Sequence, residues 1–154
     1  MLTRAQLAAS IDHTLLRPTA TRAQIEALCA EAREHRFASV CVQPARVALA
    51  RSCLNPSNPS LGGPVKVCTV IGFPLGANHP DIKAAEARLA VREGADELDV
   101  VINLGLLRDG QHDAVVADLT GVVAAADGRL VKVILETALL DPAEIDLACR
   151  LAVA

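Results

Sequence analysis

Five strand-like stretches begin near Ile11, Ala38, Val65, Glu97 and Leu130, about thirty residues apart, and a helical pattern fills each interval. An interval of that length holds one helix and two short connections, and strands joined through helices lie parallel in one sheet. The chain is therefore predicted to be an α/β protein made of consecutive βα units. No segment repeats another in sequence, so the periodicity is one of structure alone. Neither Gly-x-Gly-x-x-Gly nor Gly-x-x-x-x-Gly-Lys-Ser/Thr occurs, which removes the signatures of a nucleotide-binding open sheet. In a parallel barrel, chemistry gathers at the carboxyl ends of the strands.

Taken in order, Thr3 with Gln6 has the spacing of a capping box and predicts a short helix over 3–10. A strand over 11–16 ends at Pro18. Thr21 with Gln24 opens a second helix that runs to about Arg36, with Ile25, Leu28, Cys29 and Ala32 as its apolar stripe. Residues 37–43 read as a strand, and Pro44 sits where a helix can start without its missing N–H, continuing to Cys53. The stretch 55–64, with three prolines and two glycines, reads as a surface loop. A strand over 65–72 precedes a helix bracketed by Pro80 and Gly94, with Ile82, Ala85, Glu86 and Leu89 on one side. The stretch 94–105 holds a strand around Asp99. Residues 113–126 form a helix with Val115, Leu119, Val122 and Val123 inward, residues 130–137 a strand, and Asp141 with Glu144 caps a last helix that runs to the final residue.

Composition narrows the partners. At 154 residues and 52% apolar content the chain can bury one sizeable core, and two Phe with no Trp or Tyr make that core aliphatic. A formal charge of -3 with acids and bases interspersed gives no polybasic field, and stacking aromatics are lacking, so neither nucleic acid nor an anionic membrane is expected as a partner. No apolar run reaches the roughly 20 residues of a spanning helix, and the first residues lack a signal-peptide core, so a cytoplasmic protein is expected. Five scattered cysteines without a Cys-x-x-Cys pair argue against a disulfide framework or a zinc knuckle. No His/Asp/Glu cluster has metal-ligand spacing, so no metal is expected.

The polar residues at the predicted strand ends are Thr14, Gln43, Gly72, Asn103, Glu136 and Thr137, with Asp99 and Lys132 deeper. Leu98, Val100, Val101 and Ile102 leave Asp99 little polar company, so its carboxylate must find a donor or a cation. Period-2 alternation puts Asn103 on the face of Asp99, and Glu136 on the face of Lys132. If Asp99 and Lys132 point into one barrel from adjacent strands, they form either an ion pair that fixes strand register or a proton relay. Asp12 and Thr14 share a face of the first strand and can join that network. Cys41 reads as a core thiol, and His13 as a satisfied structural histidine.

Five motifs in order then add up to a resemblance: Asp12-His13-Thr14-Leu15-Leu16, Val40-Cys41-Val42-Gln43-Pro44, Val70-Ile71-Gly72-Phe73-Pro74-Leu75-Gly76, Gly94-Ala95-Asp96-Glu97-Leu98-Asp99, and Val131-Lys132-Val133-Ile134-Leu135-Glu136-Thr137. From Ile11 onward the chain resembles the deoxyribose-phosphate aldolases. The resemblance implies a parallel (β/α)₈ barrel of the TIM type and a class I aldolase. Such an enzyme cleaves 2-deoxyribose 5-phosphate into glyceraldehyde 3-phosphate and acetaldehyde through a lysine Schiff base, without metal or other cofactor. Carried over by position, Asp99 corresponds to the family's proton-relay aspartate and Lys132 to the lysine beside it. Asp12, Thr14 and Cys41 correspond to pocket-lining positions.

The chain departs from the family's pattern at several points. The family's Schiff-base lysine lies in a segment of the type Gly-Ala-Asp-Phe-Val-Lys-Thr-Ser-Thr-Gly, which follows the last helix here and is not matched in residues 1–154, nor are the phosphate-binding loops. Arg17 stands where the family usually has lysine. Residues 1–154 are thus expected to form a single partial TIM-barrel domain, incomplete at about five of eight βα units, with the strands near Ile11 and Leu130 as edges. An incomplete aldolase copy is favoured over an edge-to-edge homo-oligomer, and over a shortened enzyme in which Lys132 takes the Schiff-base role. The alternative of another class is a non-catalytic sugar-phosphate-binding or interaction half-barrel.

Overall fold

The computed structural model describes residues 2–54 and 65–154. The stretch 55–64, expected as a surface loop, lies outside the described residues. The element order is α1 (Arg4–Ala8), β1 (Asp12–Leu15), α2 (Arg22–His35), β2 (Ser39–Val42), a 3-10 turn (Pro44–Arg46), α3 (Val47–Cys53), β3 (Lys66–Ile71), α4 (Pro80–Glu93), β4 (Glu97–Val101), α5 (Leu104–Arg108), α6 (His112–Ala125), β5 (Leu130–Ile134), a second 3-10 turn (Thr137–Leu139) and α7 (Pro142–Ala152). The strands form one five-stranded sheet in chain order. Five consecutive βα units on a parallel sheet are what the sequence periodicity requires. No helix among the described residues is long and apolar enough to cross a membrane.

The chain divides into two compact units, Met1–Thr69 with Ala90–Glu97, and Val70–Leu89 with Leu98–Ala154. In the first, α2 buries Ile25, Leu28, Cys29 and Ala32, the stripe read from its sequence. Burial, followed by the neighbouring Cys53, pushes the Cys29 thiol up to about 12, so it stays protonated at neutral pH. All four residues of β2 are buried, as a strand covered on both faces must be. β1 and β2 pair with Asp12 opposite Ser39 and Thr14 opposite Cys41, and Cys41 in turn faces Cys68 of β3. Arg51 of α3 donates to the Gly94 carbonyl from Nε at 2.9 Å and pairs with Asp96, whose Oδ2 accepts from the Val67 amide at 2.9 Å. One guanidinium thereby ties a helix to the turn before β4. At the start of α2, the Thr21 amide donates to Gln24 Oε1 at 2.9 Å while the Thr21 hydroxyl caps the Gln24 amide. Thr21→Ala removes that hydroxyl and is expected to lower the unfolding free energy by about 1 kcal/mol in urea titrations, with the slope unchanged.

In the second unit, β4 carries the buried Leu98, Val100 and Val101, while α6 buries Val115, Asp118, Leu119 and Val122. Two helix faces differ from expectation. α4 does not bury the side holding Ile82 and Leu89, which are 57% and 45% exposed; it buries Lys83, Ala84, Ala87 and Ala90. The buried face is rotated by one residue because Lys83 has an anionic partner and the alanines pack closely. On α6, Val123 is 55% exposed and Asp118 takes an inward place.

Strand ends also differ. β4 stops at Val101, and Asn103, expected on the strand face of Asp99, is instead the N-cap of α5, its Oδ1 accepting from the Leu106 amide at 3.2 Å. Asparagine is among the strongest N-capping residues, and that preference overrides continuation of the strand. β5 stops at Ile134, and Glu136 adopts a left-handed backbone with φ 55°. Glu136 therefore does not share a strand face with Lys132.

Candidate functional site

β4 places Asp99 at the only position of that strand that is not buried. From β5, Lys132 brings its Nζ to 3.2 Å from Asp99 Oδ1. Oδ1 is shielded from solvent and accepts no well-directed hydrogen bond among the described residues, so the ammonium acts on it through charge. The two side chains are 18% and 34% exposed, which leaves both within reach of a small solute. The structure thus brings together the aspartate and lysine singled out in the sequence. A carboxylate beside an ammonium, both partly open to solvent, has the groups needed to take up and return protons.

A turn at the end of β3 adjoins β4 in the same unit. Gly72 and Gly76 have φ of 65° and 67°, and the Gly76 amide donates to the Gly72 carbonyl at 2.8 Å. A Cβ on Gly76 would run into the Ile102 carbonyl oxygen, so the turn sits directly on the residue after β4. Glu86 of α4 accepts from the Gly72 amide at 2.7 Å. Lys83, on the same helix, donates to Asp118 Oδ2 at 2.6 Å and to the Val101 carbonyl at 2.9 Å, with both charged side chains fully buried. Sequence reasoning missed this pair. Its signals are a carboxylate at Asp118 within the apolar stripe of α6, and a lysine in i, i+4, i+7 spacing with Ala87 and Ala90.

The other candidate residues lie in the first unit. Asp12 Oδ1 accepts from the Ser39 hydroxyl at 2.6 Å, and the Thr14 hydroxyl donates to the Asp12 carbonyl at 2.9 Å. Cys41 is buried, as expected of a core thiol. His13 meets Glu31 at 2.8 Å and packs on Phe37, as a satisfied structural histidine does. At the carboxyl ends of β1 and β2, a cavity of about 310 Å³ is lined by Leu15, Arg17, Pro18, Gln43 and Arg46 among others. Gln43 donates to the Leu16 carbonyl at 2.8 Å and Arg46 to the Ala20 carbonyl at 3.0 Å, which fixes that rim. A larger groove of about 470 Å³ lies at the opposite strand ends, between Arg4, Leu7, Ile11, His35 and Phe37, away from the candidate residues on β1 and β2.

Residues 7–150 match the family model described as DeoC/LacD family aldolase. A deoxyribose-phosphate aldolase of Streptococcus suis is 54% identical over 141 residues, which cover 92% of this chain and 61% of that protein. The deoxyribose-phosphate aldolase of Exiguobacterium sibiricum is 53% identical over 147 residues, covering 96% and 64% of the two chains. Among solved structures, the tetrameric deoxyribose phosphate aldolase of Aeropyrum pernix superposes with a TM-score of 0.82 at 35% identity, over 97% of this chain and 61% of that one. The chain therefore spans less than two thirds of the length of the relatives it matches.

Proposed function

The chain belongs to the DeoC/LacD family of aldolases, and from that membership we propose that it forms part of a class I aldolase barrel domain. The proposed reaction is the reversible cleavage of 2-deoxy-D-ribose 5-phosphate to D-glyceraldehyde 3-phosphate and acetaldehyde. The observation that carries it is the half-open Asp99–Lys132 pair, which joins two of the five family motifs at one point.

In this scheme a lysine outside residues 1–154 condenses with the C1 aldehyde, and as the C3 hydroxyl gives up its proton to become the aldehyde of glyceraldehyde 3-phosphate, the iminium accepts the electron pair of the breaking C2–C3 bond. Asp99 accepts and returns protons while the carbinolamine loses water and the enamine is reprotonated at C2. Lys132 holds the carboxylate in place through its charge. By their match to the family's motifs, Asp12, Thr14 and Cys41 are proposed as substrate-pocket positions of the first unit, Cys41 from within its core.

The chain's own lysines support a Schiff base formed elsewhere. Lys83 is sealed in its ion pair, and Lys66 donates to Glu97 at 2.6 Å, a bond that raises its pKa and holds its proton. Lys132 faces Asp99.

Borohydride trapping with acetaldehyde, followed by intact mass and peptide mapping, tests the proposal. It compares the 154-residue chain with a version extended by the remaining βα units of the Streptococcus suis relative. The extended protein is expected to gain an ethyl adduct on a lysine of the added segment. The short chain is expected to gain none, to lack retro-aldol turnover and to aggregate. An adduct on Lys132 of the short chain would move the Schiff base to that residue, and an extended protein with neither adduct nor turnover would sink the aldolase assignment.

A further inference from the structure

Lys83 and Asp118 are both fully buried, yet their pairing is incomplete: Asp118 Oδ1 has no hydrogen-bond partner among the described residues. A buried ion pair with an oxygen left over is a poor way to hold two helices together, since apolar side chains of similar size commonly do so as well or better. Nor can the ammonium serve a ligand, because nothing from solvent reaches it. What an apolar side chain cannot supply is a directed bond to a backbone carbonyl, and Lys83 makes one to the last residue of β4.

The position of that bond gives it meaning. Val101 lies two residues after Asp99. The next residue, Ile102, donates from its amide to the Ile134 carbonyl at 3.1 Å, and its own carbonyl lies beneath Gly76. The Lys83 stem fills the space beside Gly72, where a Cβ would come to 2.9 Å from Lys83 Cε. Glu86, three residues on, takes the Gly72 amide. One helix thereby grips both the end of β4 and the turn that packs on it, and Asp118 from α6 fixes where the ammonium sits.

We propose that Lys83, held by Asp118, is a positioning residue that sets the end of β4 through the Val101 carbonyl and so places the Asp99 carboxylate against Lys132. The proposal rests on Asp99 as the proton carrier for its catalytic meaning, but its test reads the strand and the carboxylate directly, so it can succeed or fail whether or not the protein turns over substrate.

The test, made in the extended protein, compares the parent with Lys83→Met/Asp118→Leu, which removes both charges, and with Asp118→Asn, which keeps the shape of the anchor and removes its charge. Hydrogen exchange and the ¹³C resonance of the Asp99 side-chain carboxyl are recorded by NMR. In both variants the Gly76 and Ile102 amides are expected to exchange about tenfold faster or more, while amides within α7 keep their protection. The Asp99 carboxyl resonance is expected to move from its parental position. A double variant that folds with parental exchange at Gly76 and Ile102, and an unmoved Asp99 resonance, would show that the pair only packs. If the double variant does not fold, Asp118→Asn decides: a shifted Asp99 resonance supports positioning, and an unshifted one overturns it.

Discussion

Asp99→Asn, introduced into the extended protein, is expected to keep the fold and lose cleavage of 2-deoxyribose 5-phosphate by a factor of ~10²–10⁴ in kcat, the range that a positioned proton-transfer group supplies. Asparagine has nearly the shape of aspartate and can accept a hydrogen bond, but it cannot take up and return a proton at neutral pH. The ion pair it removes is partly open to water, at 18% and 34% side-chain exposure, and pairs of that kind are worth about 0–1 kcal/mol. Thermal unfolding should therefore move by only a few degrees. Because proton transfer belongs to the reaction and not to binding, kcat and kcat/KM should fall together while KM changes little. Steady-state kinetics with a coupled assay for glyceraldehyde 3-phosphate checks this. A kcat within about threefold of the parent would reduce the Asp99–Lys132 pair to a device for strand register.

The largest expected effect on stability is at Lys83. Lys83→Met alone leaves the Asp118 carboxylate fully buried without a cation, and breaking a buried pair from one side costs about 3–5 kcal/mol. That is a large part of the 5–15 kcal/mol that typically separates folded from unfolded domains. The single variant should unfold at much lower urea concentration than the parent or accumulate as insoluble protein. Adding Asp118→Leu removes the stranded charge and should recover most of the loss. Urea titrations of parent, single and double variants of the extended protein, followed by circular dichroism, give the comparison. A single variant as stable as the parent would mean that the Lys83–Asp118 pair contributes little to stability.

The parallel βα order could be read from the chain because strand and helix periodicities alternate at a fixed interval, and each boundary carries its own marker. Thr3, Thr21 and Asp141 cap where their spacing to Gln6, Gln24 and Glu144 says they should. Asp99 and Lys132 stood out because each interrupts an aliphatic strand, and a buried charge needs a reason. Residues whose role depends on a partner far along the chain were not legible in this way. Lys83 looks like a surface residue of an amphipathic helix until Asp118, 35 positions later, is known to meet it. Ile82 and Leu89 then looked like the inward side by hydrophobicity alone, although buried alanines and one paired lysine occupy it. Asn103 and Glu136 were misplaced for a local reason, since period-2 alternation cannot tell where a strand yields to a cap or to a left-handed residue.

The seating of Gly76 over the Ile102 carbonyl bears on how tolerance to substitution should be read in this molecule. A position that accepts no side chain returns glycine alone from a randomised library, the same outcome a reacting residue gives. Leu75, its neighbour in the same turn, is exposed and has room for many replacements. An abrupt change from permissive to invariant between adjacent codons would thus mark where backbone rests on backbone, and invariance at 76 is a record of available volume that says nothing of contact with a reacting molecule.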